Sequence, residues 1–158
     1  IAALGAELPG CLSPEPQRMG GIGDVLQTVT DLPDCALLLV NPGVFAPTGA
    51  VFGAMERRDN PPMQKQFPHW EDAAALARWL ADQRNDMEPA ALKLAPVIGK
   101  TLALIRSAPK CLLARMSGSG ATCFGLFSSL KDAQAAQSTL AIPQDWWRAA
   151  AQVSRATT

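Results

Sequence analysis

The residues best suited to chemistry are Ser117-Gly118-Ser119-Gly120, set within Arg115-Met116 and Ala121-Thr122. Glycine leaves the backbone bare on one side and admits positive φ. Bare N–H groups flanked by hydroxyls can receive an anion. The other reading is a turn that simply needs glycine. An apolar run over 111–116 enters the stretch and another over 121–127 leaves it. The stretch is therefore expected to be the tight turn of a β-hairpin.

Other candidates stand more alone. Glu7 is a single carboxylate in an apolar window and, by itself, reads as a solvated loop residue. Met19-Gly20-Gly21-Ile22-Gly23-Asp24 is dense in glycine, which indicates a tight bend or a close backbone approach. Thr48 is expected to N-cap a short helix over 49–55, with Phe52 one turn later on the same side. Phe52 reads as core or as a stacking surface. His69, the one histidine, reads as a surface residue, and Trp70 and Trp79 as packing residues. The cysteines, at positions 11, 35, 111 and 123, contain no CxxC pair, and with one histidine they do not assemble a zinc site. Each lies in apolar surroundings, where a reduced thiol behaves as a small hydrophobe. That points to a reducing compartment, the cytoplasm; the alternative is a Cys111–Cys123 bridge across the hairpin.

These residues need a frame. Residues 36–40 form a continuous apolar run, expected as a strand buried on both faces and ending in the turn Asn41-Pro42-Gly43. Residues 13–18 read as an exposed Pro-rich stretch, 30–34 as a linker, and 56–68 as a mobile surface loop. Helices are predicted over 71–81 and from Arg84-Asn85-Asp86-Met87-Glu88-Pro89 to about residue 107, with a kink at Pro96. After the hairpin come a helix over 131–140 and a last, edge strand over 146–153. From residue 35 the order is strand, helices, strand, strand, helix, strand. That is the α+β pattern βαββαβ of a ferredoxin-like sandwich, with extra helices in its first crossover. Residues 34–158 are expected to be this domain and residues 1–33 the tail of a preceding one. The start at Ile1, without a basic n-region, reads as a chain beginning mid-protein and not as a signal peptide.

Composition narrows the classes. The chain has 158 residues, of which 48% are hydrophobic, enough for a sizeable core. Fourteen basic residues balance fourteen acidic ones, and no basic run appears, which argues against a nucleic-acid partner. No apolar run approaches the ~18 residues of a membrane span. Oligomeric state is left open.

Read together with Gly5-Ala6-Glu7-Leu8-Pro9, Gly21-Ile22-Gly23-Asp24, Asn41-Pro42-Gly43-Val44 and Asn85-Asp86-Met87-Glu88, the glycine-rich hairpin resembles one family. It is similar to the 4-diphosphocytidyl-2-C-methylerythritol kinase family of the GHMP kinase superfamily, from about Leu4 to the last strand. The resemblance implies a GHMP kinase C-terminal domain and transfer of the γ-phosphoryl of ATP, with Mg²⁺, to the 2-hydroxyl of a cytidine-bearing methylerythritol in the non-mevalonate isoprenoid route. It implies that Ser117, Gly118, Ser119 and Gly120 form the loop beside the phosphate. It places Phe52 against the cytosine, with Thr48, Ile22 and Gly23 in the same substrate pocket. It puts Glu7 where the family has its catalytic Asp, one methylene longer. The family's catalytic Lys and ATP-binding Gly-Leu-Gly-Ser-Ser loop lie upstream of its matching motifs, and neither occurs in these 158 residues. The fragment alone is therefore expected to be inactive. The alternative from another class is a stand-alone ferredoxin-like binding module that has lost catalysis.

Overall fold

The computed structural model describes residues 15–64 and 66–153; Glu7 and Cys11 lie outside them. Two short strands come first. β1 (Gln17–Gly20) and β2 (Val25–Thr28) pair antiparallel as a hairpin of their own. Its tip is the glycine-dense stretch, where Gly21 and Gly23 take φ values of 63° and 101° and the Gly23 N–H donates to the Gly20 carbonyl. Four further strands, β3 (Ala36–Asn41), β4 (Leu113–Met116), β5 (Cys123–Phe127) and β6 (Trp147–Gln152), form an antiparallel sheet in the order β4-β5-β3-β6. β3 and β4 both flank β5, and β5 and β6 both flank β3. Each crossover thus encloses a strand, which is the ferredoxin-like arrangement expected from the βαββαβ order.

Five helices complete the described residues: α1 (Thr48–Ala54), α2 (Ala73–Ala81), α3 (Glu88–Leu94), α4 (Val97–Arg106) and α5 (Leu130–Thr139). β3 shows why they are needed. Ala36, Leu38 and Val40 are fully buried and share a core with Ile98 and Ile105 of α4, Val51 of α1 and Ala133 of α5. Leu37, pointing the other way, packs on a second cluster of Cys35, Trp70, Leu76 and Ala77 around α2. The apolar run is thus covered on both sides, as its composition demands. In the second cluster Trp70, Trp79 and Phe67 meet with ring centroids 5.2–5.7 Å apart, so both tryptophans are packing residues. His69 is exposed.

Several local expectations change. The helix predicted from 84 to 107 is two helices, because Pro96 cannot donate and its ring crowds the preceding turn. Ala95 leaves the helical region, at φ −137° and ψ 82°, and α4 starts afresh after it. Gln17 and Arg18 belong to a strand, not to an exposed loop. Thr48 is the first helical residue and not the N-cap. Pro47 takes that place, at φ −60° and ψ 123°, which frees the Thr48 hydroxyl for another partner. The β4–β5 connection is wider than a tight turn: the ladder ends at Met116 opposite Cys123, and residues 117–122 form the loop. Cys111 and Cys123 are free thiols, so the cross-hairpin bridge is absent.

Candidate functional site

The loop of residues 117–122 is held from within and from three outside elements. Inside it, the Ser117 N–H donates to the Thr122 carbonyl and the Gly120 N–H to the Ser117 carbonyl, both at 2.9 Å. Gly118 and Gly120 sit at φ 55° and 88°, in the left-handed region that glycine enters without penalty. From the end of β3, the Asn41 side-chain amide donates to Thr122 Oγ1 at 2.9 Å, while its oxygen accepts from the Gly43 N–H at 2.8 Å. From the start of α1, Thr48 Oγ1 and Ser119 Oγ share a hydrogen bond of 2.8 Å. From the segment before α3, Asn85 Nδ2 donates to the carbonyls of Met116 (3.2 Å) and Gly118 (2.9 Å), and its oxygen accepts from the Met87 N–H (3.1 Å).

The N–H groups of Gly118 and Ser119 find no acceptor among the described residues. A Cβ added at Gly118 meets nothing within 4 Å, so the loop is open on that side. Two free N–H groups in a loop with left-handed glycines suit an anion.

The cleft beside the loop, of about 500 Å³, is lined by Phe52, Met63, Asn85, Arg84, Gly118 and Phe124, among others. Phe52 is 46% exposed, so only part of the residue serves the core. Arg84 ion-pairs with Asp86, which also lines the cleft, at 3.0 Å and donates to the Pro61 carbonyl, so its guanidinium is held at the rim with its charge balanced. Arg115 behind the cleft donates to the carbonyls of Leu80 and Gln83, closing the C-terminal end of α2 and tying it to β4. Cys123 lies fully buried under the loop, opposite Met116; burial, with the nearby Glu88 charge adding to it, pushes its thiol up to about 12. It stays protonated and serves as packing.

Of the residues singled out in the sequence, Phe52, Thr48 and the 117–120 loop come together. Ile22 and Gly23 lie at the tip of the β1–β2 hairpin: Ile22 is 77% exposed and its N–H donates to Asp24 Oδ1, and neither residue lines this cleft. Glu7 lies outside the described residues. Sequence reasoning did not identify Asn41 and Asn85 as the clamps of the loop. Their signal was present in the two Asn-led motifs, but an Asn before a turn or a helix is also an ordinary local cap. Among the described residues, no group of three His, Cys, Asp or Glu side chains is placed to hold a metal ion, and no helix is long and apolar enough to cross a membrane.

Comparison with known proteins gives the family and the fold. The family model of the GHMP kinases C terminal matches residues 63–143, just over half of the chain. A 4-diphosphocytidyl-2-C-methyl-D-erythritol kinase of Dinoroseobacter shibae is 54% identical over 147 residues, covering 92% of this chain and 51% of that protein. The kinase of the same name from Jannaschia sp. is 51% identical over 154 residues, covering 98% and 54%. The chain thus spans about half the length of the curated relatives it matches. The crystal structure of a 4-(cytidine 5'-diphospho)-2C-methyl-D-erythritol kinase superposes with a TM-score of 0.73 at 24% identity, over 97% of this chain and 55% of that one. A homoserine kinase from Cytophaga hutchinsonii superposes with a TM-score of 0.51 at 16% identity, covering 83% and 45%, a likeness of fold. On the family match and the shared fold, the chain belongs to the GHMP kinases and carries their C-terminal domain.

Proposed function

We propose that this chain is the C-terminal part of an ATP-dependent kinase that phosphorylates the 2-hydroxyl of 4-diphosphocytidyl-2-C-methylerythritol, a step toward isoprenoid precursors. Residues 34–158 are its C-terminal domain, and residues 1–33 are the tail of the ATP-binding domain that precedes it in the longer protein. The kinase works in the cytoplasm on a small-molecule substrate.

The observation that carries the reading is the juxtaposition of Phe52 with the open backbone at Gly118 in one cleft, Ser119 being the next residue of the loop. A cytidine diphosphate substrate has a flat base and an anionic chain. A half-exposed aromatic ring offers the first a stacking surface. Free N–H groups offer ATP's phosphates a neutralising cradle, the kind of positioning on which phosphoryl transfer depends. ATP would supply the γ-phosphoryl that is transferred, with ADP as the leaving group, and Mg²⁺ would balance the charge of the phosphates. The described residues supply donors that fit a phosphate and no cluster that fits the metal. Glu7 takes the acceptor hydroxyl's proton, at a reach of about 2.6–3.2 Å in the productive complex. The other proposed substrate contacts, Ile22 and Gly23, lie at the hairpin tip, outside this cleft.

The test is turnover of the longer protein that contains this chain, with ATP, Mg²⁺ and the cytidine substrate, run against homoserine as a competing acceptor. ADP formation is expected with the cytidine substrate alone. Glu7→Gln is expected to lower turnover steeply, and Glu7→Asp to raise it, since a misplacement of about 1 Å costs ~10²-fold. No turnover in any variant would favour a binding module that has lost the chemistry.

A further inference from the structure

We propose that Asn85 is a positioning residue that sets the direction of the Ser119 N–H, and so aims the glycine loop at its anion. The inference rests on the reading of that loop as a phosphate cradle. Peptide planarity makes the argument. In a trans peptide the carbonyl of one residue and the N–H of the next point in opposite directions. The Gly118 carbonyl is held by Asn85 Nδ2 at 2.9 Å, so the Ser119 N–H turns away from Asn85. The Ser117 carbonyl is held by the Gly120 N–H at 2.9 Å, so the Gly118 N–H likewise turns out of the loop. The second carbonyl on Asn85, that of Met116, anchors the loop's stem at the end of β4.

The side chain has the one composition that fits. Both loop partners are acceptors, so two N–H donors are needed, while the Met87 N–H needs an acceptor on the same group. An amide supplies both. An aspartate of equal shape would set a carboxylate against two carbonyl oxygens. Asn85 is half-buried; its bonds with Met116 and Met87 are partly shielded, while that to the Gly118 carbonyl faces solvent.

The test uses inorganic phosphate and the 158-residue chain, followed by amide NMR. In the wild type, the Gly118 and Ser119 resonances are expected to move saturably, with those of Leu38 and Val40 unmoved. Asn85→Ala, which adds no charge, is expected to weaken the apparent phosphate affinity at least tenfold while Leu38 and Val40 keep their resonances. Should that variant unfold, Asn85→Gln, which adds no charge and displaces the same amide by one methylene, provides the same reading. In the longer protein, the same variants are expected to raise the KM for ATP and leave the KM for the cytidine substrate within twofold, a split that general loosening of the fold does not produce. Phosphate affinity unchanged in folded Asn85→Ala, or no saturable movement at Gly118 and Ser119 in the wild type, overturns the proposal. If the longer protein transfers no phosphoryl group while the phosphate titration behaves as expected, the positioning role stands and the kinase reading fails.

Discussion

Thr48 Oγ1 and Ser119 Oγ lie 2.8 Å apart across 71 residues of sequence, joining the start of α1 to the glycine loop. Because Phe52 is on the same helix one turn later, this bond couples the aromatic surface to the loop. A neutral hydrogen bond contributes about 0.5–1.5 kcal/mol net. Thr48→Val and Ser119→Ala are each expected to cost that order in urea unfolding. The double variant is expected to cost clearly less than the sum, the signature of residues in contact. Strict additivity would mean the two hydroxyls do not support one another.

The two left-handed glycines of the loop are expected to respond differently to a methyl group. Gly118→Ala enters open space and bears only the cost of its backbone, about 1–2 kcal/mol. Gly120→Ala adds a Cβ 3.0 Å from Ile98 Cδ1 and from Met116 Sδ, both in the core. Overpacking of that kind costs a further ~1–3 kcal/mol. Urea midpoints that rank the two variants in the opposite order would contradict the packing described beneath the loop.

Cys123 links stability to alkaline pH. Its thiol is pushed up to about 12 in the folded state, chiefly by burial, against roughly 8.5 in an unfolded chain. Its contribution is therefore fully present below about pH 8.5 and is lost as pH rises toward the folded value. Between those limits one proton is released on unfolding, which lowers stability by up to ~1.4 kcal/mol per pH unit. Unfolding of the wild type compared with Cys123→Val at pH 8, 9 and 10 is expected to show the steeper decline in the wild type. Parallel curves would place the thiol in contact with solvent.

Phe52→Ala is expected to leave the fold largely intact, since 46% of the residue is exposed, and to weaken the cytidine substrate in the longer protein. Base–aromatic stacking is worth about 1–3 kcal/mol, or roughly ten- to more than a hundredfold in binding. The KM for ATP is expected to stay within twofold. A cytidine KM that does not move would return Phe52 to a purely structural role.

The sheet was legible because its residues carry local signals. The apolar run at 36–40, the two runs around the glycines and the Ala-rich helix before β6 each state their period directly. The two-faced burial of β3 followed from the unbroken Ala36 to Val40 run. What was not legible is side-chain geometry at long range. Nothing near Thr48 announces a partner 71 residues away, and Pro47 shifted the helix start by its fixed φ. Asn85 looked like a helix-start residue, and its oxygen does accept from the Met87 N–H, while its two donors serve the loop. Short β1 and β2 were hidden because Gln17, Arg18 and Gln27 break any alternation, and the pairing depends on the turn at Gly21 and Gly23.

The most direct test of the central claim is phosphorus NMR of the reaction catalysed by the longer protein, with ATP, Mg²⁺ and 4-diphosphocytidyl-2-C-methylerythritol. The account expects one new phosphate-monoester resonance, coupled to no proton because the 2-carbon bears a methyl group and no hydrogen, growing as the γ-phosphate of ATP disappears. ATP consumed to free phosphate, or a monoester on another hydroxyl, would contradict it.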